Sequence, residues 1–357
     1  MKISVRTFKL LTGFFALAAI LAIAAPNAQA AAVIYNTGAA GTASVALGVN
    51  DLGALNVVDP FGVTRTTNAA GGAVGLALKF ADGTWRDATS PGCLCEGWGV
   101  SATDTGGGSG AHSGWNNIAI GTSNLTDDGF VTDAAAGTGT MATSNVHLTS
   151  LPGLKVSQEY QMASNAPGVF FRNHVTITND TGGVIDDLRY VRVMDWDIPP
   201  TEFSEFVTIK GTATTTFLET SHDDGFESGN PLAPTTPLNP ATLDVDFEDD
   251  GPTDHGAYFK FNFGSLGAGE TFEFDIFYGA STSEAAALAA IGAEGIELFS
   301  LGQQAGDPVG GTPGTFIFGF SGVGGVPFDP IPEPGTVILL GFGMLGLARV
   351  MRRQNMK

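Results

Sequence analysis

Residues 257–263 place Phe259, Phe261 and Phe263 on one side of an extended chain, with Tyr258, Lys260 and Asn262 on the other. Residues 271–278 repeat the pattern, with Phe272, Phe274 and Ile276 alternating against Glu273 and Asp275. A period of two with aromatics on one side predicts antiparallel strands packed on one face. Two further long strands are predicted at 169–178, which holds Phe170, Phe171, Val175 and Ile177, and at 188–196. The stretch Asn179-Asp180-Thr181-Gly182-Gly183 between them reads as a turn, so the pair is expected to form a hairpin. Shorter strands are expected at 298–301 and 315–320.

Helical character interrupts this pattern once. Ser281 and Glu284 read as a capping box, 285–293 is Ala-rich, and Gly295 supplies the stop. Upstream, from residue 33 to about 145, Gly, Ala, Thr, Ser and Asn dominate. Short alternations such as 74–80 are separated there by Asp82-Gly83 and Asp128-Gly129 turns. The expected fold is mainly β: an antiparallel β-sandwich-type body with one short helix. Composition divides it into a Gly/Ala/Thr-rich β region (31–145), a sandwich-like region (146–322) and a Gly/Pro linker (323–331).

Both ends differ from the body. Lys2, Arg6 and Lys9 precede an uncharged apolar stretch (10–25), and Ala28-Gln29-Ala30 is a small-x-small cleavage site, so 1–30 is expected to be a signal peptide. At the other end Pro332-Glu333-Pro334 precedes an apolar run (337–348) and the basic cluster Arg349, Arg352, Arg353 and Lys357. The run is short of the roughly 20 residues a span needs, and reaches a marginal span if Arg349 snorkels. A transmembrane helix with its basic end in the cytoplasm is the expectation.

These three features in this order resemble the PEP-CTERM sorting signal of Gram-negative bacteria, here over 332–357. The resemblance implies export, a transient stay in the inner membrane, and cleavage near Pro332, Glu333 and Pro334 by an exosortase, a membrane cysteine protease. Arg349, Arg352 and Arg353 would act as the stop. Delivery to the cell surface or the exopolysaccharide matrix would follow, where a structural or adhesive role in biofilm is expected. Residues 169–303 also resemble an uncharacterised β-rich domain of exported bacterial proteins. Arg189-Tyr190, the run from Met194 through Thr201, Phe277-Tyr278-Gly279-Ala280 and Ser300-Leu301-Gly302-Gln303 carry that likeness. It implies an architecture and no activity.

Charge narrows the partners. Seven of the 16 basic residues lie in the end segments, leaving 9 against 36 acids between Asp51 and Glu333, a net of −27. Such a field repels nucleic acid and anionic headgroups, and leaves cations and neutral or cationic polymers as partners; the exopolysaccharide is what the sorting-signal resemblance adds. Cys93 and Cys95 are the two cysteines, open to a local or an intermolecular bridge.

Enzyme signatures are absent: there is no Gly-x-Ser-x-Gly elbow and no His-Glu-x-x-His helix. The five histidines (His112, His147, His174, His222 and His255) show no ligand spacing. A non-enzymatic protein is therefore expected. Carboxylates are the chemically interesting class. Asp246, Glu248 and Asp250 fall at positions 1, 3 and 5 of a calcium-loop pattern with Gly251 at 6, although position 12 is Ala257. Calcium there is one reading. The other is a strand burying Leu243, Val245 and Phe247 with its acids in water. Asp195, Asp197 and Glu202 could supply the acid and base of a carbohydrate-cleaving site, with Trp196 stacking on a sugar. A carbohydrate-binding or carbohydrate-cleaving module is the alternative function.

Overall fold

The computed structural model describes residues 30–105 and 110–329. Ala28 and most of the signal segment, Pro332, Glu333, Pro334, the apolar run, Arg349, Arg352 and Arg353 lie outside the described residues. Among the described residues no helix is long and apolar enough to cross a membrane.

In chain order the strands are β1 (Ala31–Tyr35), β2 (Val45–Asn50), β3 (Leu76–Lys79), β4 (Trp85–Asp87), β5 (Gly97–Asp104), β6 (Ala111–Asn117) and β7 (Gly121–Ser123). They continue with β8 (Leu125–Thr132), β9 (Met141–Leu148), β10 (Leu151–Met162), β11 (Phe170–Asn179), β12 (Ile185–Trp196), β13 (Glu205–Lys210) and β14 (Leu218–His222). Last come β15 (Phe247–Thr253), β16 (His255–Leu266), β17 (Thr271–Ser281), the helix α1 (Glu284–Glu294), β18 (Leu298–Gln304) and β19 (Thr315–Ser321). They form three antiparallel sheets: β1-β2-β3-β4, then β15-β13-β18-β19-β17-β11-β10-β9-β8, then β14-β16-β12-β5-β6-β7. The protein is mainly β with one helix.

The two large sheets face each other across the aromatics that the alternation marks. Phe259 and Phe261 of β16 meet Phe320 of β19 at 5.2 and 4.9 Å between ring centroids, and Phe263 stacks on Phe272 of β17 at 4.0 Å. Burying each ring is worth about 1.5–3 kcal/mol, and each well-placed ring pair adds about 0.5–1.5 kcal/mol. The acids of β17 alternate away from this core, as the period requires.

The expected hairpin does not form. β11 pairs with β10 and β17 in the nine-stranded sheet, whereas β12 pairs with β5 and β16 in the six-stranded one. The reason lies in β12, whose last seven residues are buried on both faces, which requires an interior position between two strands. The turn after β11 is therefore a crossing between sheets, and the segment between β16 and β17 is a second one. Asn179 ties the two crossings together, because its Nδ2 donates to the carbonyls of Gly183, Leu266 and Gly267.

The helix starts two residues later than a cap at Ser281 would place it. Ser281 pairs with Thr315 inside the β17–β19 ladder, so Ser283 takes the cap and accepts from the Ala286 N–H at 3.4 Å. Gly295 closes the helix in the left-handed region, with φ of 69°.

Strands from either side of residue 145 share both large sheets, and β9 itself runs across that position. Of the Gly/Pro segment after 322, the described part is docked: Val323 is buried, and Phe328 packs edge-on against Phe299 at 5.2 Å. The Glu297 carboxylate accepts the N–H groups of Gly322, Val323 and Gly325.

At the centre, Arg192 of β12 is fully buried and pairs with Glu96 at 2.5 Å. Its Nη1 also donates to the Gly53 carbonyl at 3.1 Å and to Gln158 Oε1 at 2.9 Å. One guanidinium thereby joins the six-stranded sheet, the β2–β3 connection and β10. Gly53 has φ of +76°, and a Cβ there would stand 2.3 Å from Gln158 Nε2, so this junction requires glycine.

Candidate functional site

The C-terminal end of β12 gathers the buried acids. Successive side chains alternate, so Asp195 and Asp197 share one side of the chain while Trp196 takes the other, its indole N–H donating to Ser300 Oγ at 3.0 Å. Trp196 is therefore a core residue and is not placed to stack on a sugar. Asp195 is 1% exposed and Asp197 is 0% exposed. Asp87, Asp195, Asp197, Glu205 and Asp254 act on one another here.

Burial dominates their electrostatics. It raises Asp197 to about 10, with Asp195, Glu205, Asp254 and Asp87 adding like-charge repulsion. Burial likewise raises Glu205 to about 9, against the opposing N–H of His255, with Asp254 and Asp195 pushing it further up. Asp195 stands well above the carboxylate range for the same reason, helped by Asp254 and Asp224. Asp197 and Glu205 are therefore neutral near pH 7. Neither oxygen of Asp197 has a hydrogen-bond partner, nor does Asp195 Oδ1.

Glu202 does not join Asp195 and Asp197; it accepts from Asn68 Nδ2 at 2.7 Å. Cys93 and Cys95 form a local disulfide, with their Cα atoms 5.2 Å apart. Cys93 Sγ lies 3.1 Å from Asp195 Oδ2, but a disulfide sulfur carries no proton to donate, so this is a contact and not a hydrogen bond.

The calcium-loop residues separate. Asp246 accepts the N–H and hydroxyl of Thr212, Glu248 pairs with Lys210 at 3.4 Å, and Asp250 accepts from Asn239 Nδ2 at 3.0 Å. Nor do Leu243 and Val245 bury a strand face. Both are 44% exposed, because the chain turns through a 3-10 segment (Pro240–Thr242) and a left-handed Asp244 before β15 begins.

A different group forms beside the buried acids. Asp223 follows β14, Asp250 lies in β15 and His255 opens β16, and one ligand atom from each lies within 4.8 Å of the others. Burial pushes Asp223 up, but His255, the Thr242 hydroxyl and the Asn239 N–H outweigh it and hold the carboxyl below its ordinary value. Asp223, Asn239 and Asp250 line an open depression of about 300 Å³ with Leu238, Gly251, Pro252 and Thr253. Sequence spacing shows Asp223 and Asp250 as acidic runs, but nothing local relates them to His255, which pairing through β12 and β14 brings into place.

Beyond this body, residues 330–353 match the PEP-CTERM protein-sorting motif. The chain carries a PEP-CTERM sorting motif. The PEP-CTERM match spans Pro332, Glu333, Pro334, Arg349, Arg352 and Arg353, and it implies an exported protein recognised and processed by an exosortase. No curated protein matches the chain in sequence.

Proposed function

We propose that the protein is an exosortase substrate delivered to the cell surface or extracellular matrix, where its β-rich body is a structural or adhesive, non-catalytic component of exopolysaccharide. The observation that carries this reading is the PEP-CTERM motif at 330–353. Its handling implies passage through the inner membrane, with the apolar run as a temporary anchor and the basic cluster on the cytoplasmic side. The excess of acids keeps such a body soluble and disfavours nucleic acid, while leaving neutral polysaccharide as a partner.

The burial of Asp195 and Asp197 supports the non-catalytic reading over a carbohydrate-cleaving one, since a catalytic acid must reach a glycosidic oxygen. The test is retention of the mature, surface-released protein on the producing organism's own exopolysaccharide. Saturable retention with unchanged polymer length is expected. Shortening of the polymer that is lost on Asp197→Asn would establish the carbohydrate-cleaving alternative instead. Absence of any retention would remove the adhesive role.

A further inference from the structure

His255 is fully buried at the start of β16, and neither of its ring nitrogens has a hydrogen-bond partner. Leaving a buried polar group unsatisfied costs about 1–3 kcal/mol, so native folds rarely tolerate one without a purpose. Its Nδ1 faces two carboxylate oxygens, Asp223 Oδ2 at 3.6 Å and Asp250 Oδ2 at 4.0 Å. A charge-assisted imidazole–carboxylate hydrogen bond would close to about 2.7–2.9 Å. Ligand atoms held about 2.0–2.1 Å from a tetrahedral zinc ion stand about 3.3–3.4 Å apart. The observed spacing is too wide for direct bonding and suits three groups gathered around an ion.

We propose that Asp223, Asp250 and His255 form a binding site for one divalent transition-metal ion of the zinc class. Calcium and magnesium take oxygen ligands, whereas an imidazole nitrogen with two carboxylates suits zinc and its neighbours. The surroundings orient the acids as an outer shell should. Asn239 donates through Nδ2 to Asp250 Oδ1 at 3.0 Å and Oδ2 at 3.2 Å, and through its backbone N–H to Asp223 Oδ1 at 3.2 Å and Oδ2 at 3.1 Å. Thr242 Oγ1 donates to Asp223 Oδ1 at 2.8 Å. Those bonds fix both carboxylates toward His255, as supporting groups around a metal do. The depression lined by Asp223, Asn239 and Asp250 lets water or a ligand oxygen complete the fourth position. The cysteines are not competitors, because both sulfurs are held in the disulfide. The site stands independently of the sorting reading.

The test uses the full-length chain in detergent, stripped with a chelator and titrated calorimetrically with zinc chloride and, separately, calcium chloride. One zinc ion per chain is expected, with calcium at least about 100-fold weaker. Asp250→Asn, at a half-buried position, and His255→Gln should each weaken zinc by at least about 100-fold. Asn239→Ala should weaken it by about 10–100-fold, the usual effect of losing an outer-shell partner. Glu248→Gln, which removes a nearby exposed charge, should change nothing. A β-type circular dichroism spectrum establishes that each variant is folded, and Asp250→Asn carries the conclusion if His255→Gln does not fold. Failure of the folded wild type to bind zinc, wild-type affinity in Asp250→Asn, a loss in Glu248→Gln equal to that in Asp250→Asn, or calcium bound as tightly as zinc would each overturn the assignment.

Discussion

Asp197 and Glu205 show how far burial can move a single side chain. Their carboxyls titrate at about 10 and about 9 in the folded chain, against ordinary values near 4 once unfolded. Between those limits the folded state holds protons that the unfolded state has released, so stability falls as pH rises. One opposing group has to be kept out of the measurement. Burial lowers His222 to about 4, which makes stability rise with pH up to about 6.5. From pH 6.5 to 9 the melting temperature is therefore expected to fall, with each retained proton contributing at most about 1.4 kcal/mol per pH unit. Asp197→Asn should make that fall shallower and leave the protein at least as stable as wild type at pH 8. A melting temperature that is constant or rising over this window, or a variant with the wild-type slope, would contradict the neutral, buried carboxyl.

At the scale of elements, local pattern and long-range pairing divide the information. The faces of β16 and β17 are legible because Phe259, Phe261, Phe272 and Phe274 alternate with polar residues, and a period of two needs no knowledge of the partner strand. Which strands pair is not local. A turn-like stretch after β11 is equally compatible with a hairpin and with a crossing between sheets, and the two-sided burial of β12 decides for the crossing. The same limit hides the candidate site, since Asp223, Asp250 and His255 come from three segments that meet only in the folded sheets. The Glu96–Arg192 pair is likewise a product of assembly. Burial pushes the Glu96 carboxyl up more than Arg192 pulls it down, so the pair depends on its geometry. Arg192→Met should cost about 3–5 kcal/mol by leaving Glu96 buried and uncompensated, a large part of a domain's stability. Adding Glu96→Gln should recover most of that loss in urea unfolding. Equal stability of Arg192→Met and wild type would show that the pair contributes nothing.

For the whole molecule, the body ends docked and the sorting motif begins at once. Phe328 packs against Phe299, its N–H bonds the Ile296 carbonyl at 2.8 Å, and the PEP-CTERM match starts at 330. The last described residues ahead of the motif are therefore held against the body. On the proposed sorting route, the exosortase cuts near Pro332, Glu333 and Pro334, and the basic cluster acts as the stop. Separate consequences follow for the two halves of the motif. Glu333→Ala should leave export intact and impair processing, so that uncut chain accumulates in the inner-membrane fraction. Replacing Arg349, Arg352 and Arg353 together should weaken retention and let unprocessed chain pass through. Mass spectrometry of the protein released at the surface distinguishes these fates. Wild-type product should lack peptides from 337–357, and the triple arginine variant should contain them. Released wild-type protein that still carries 337–357 would mean that the motif is present but not cut.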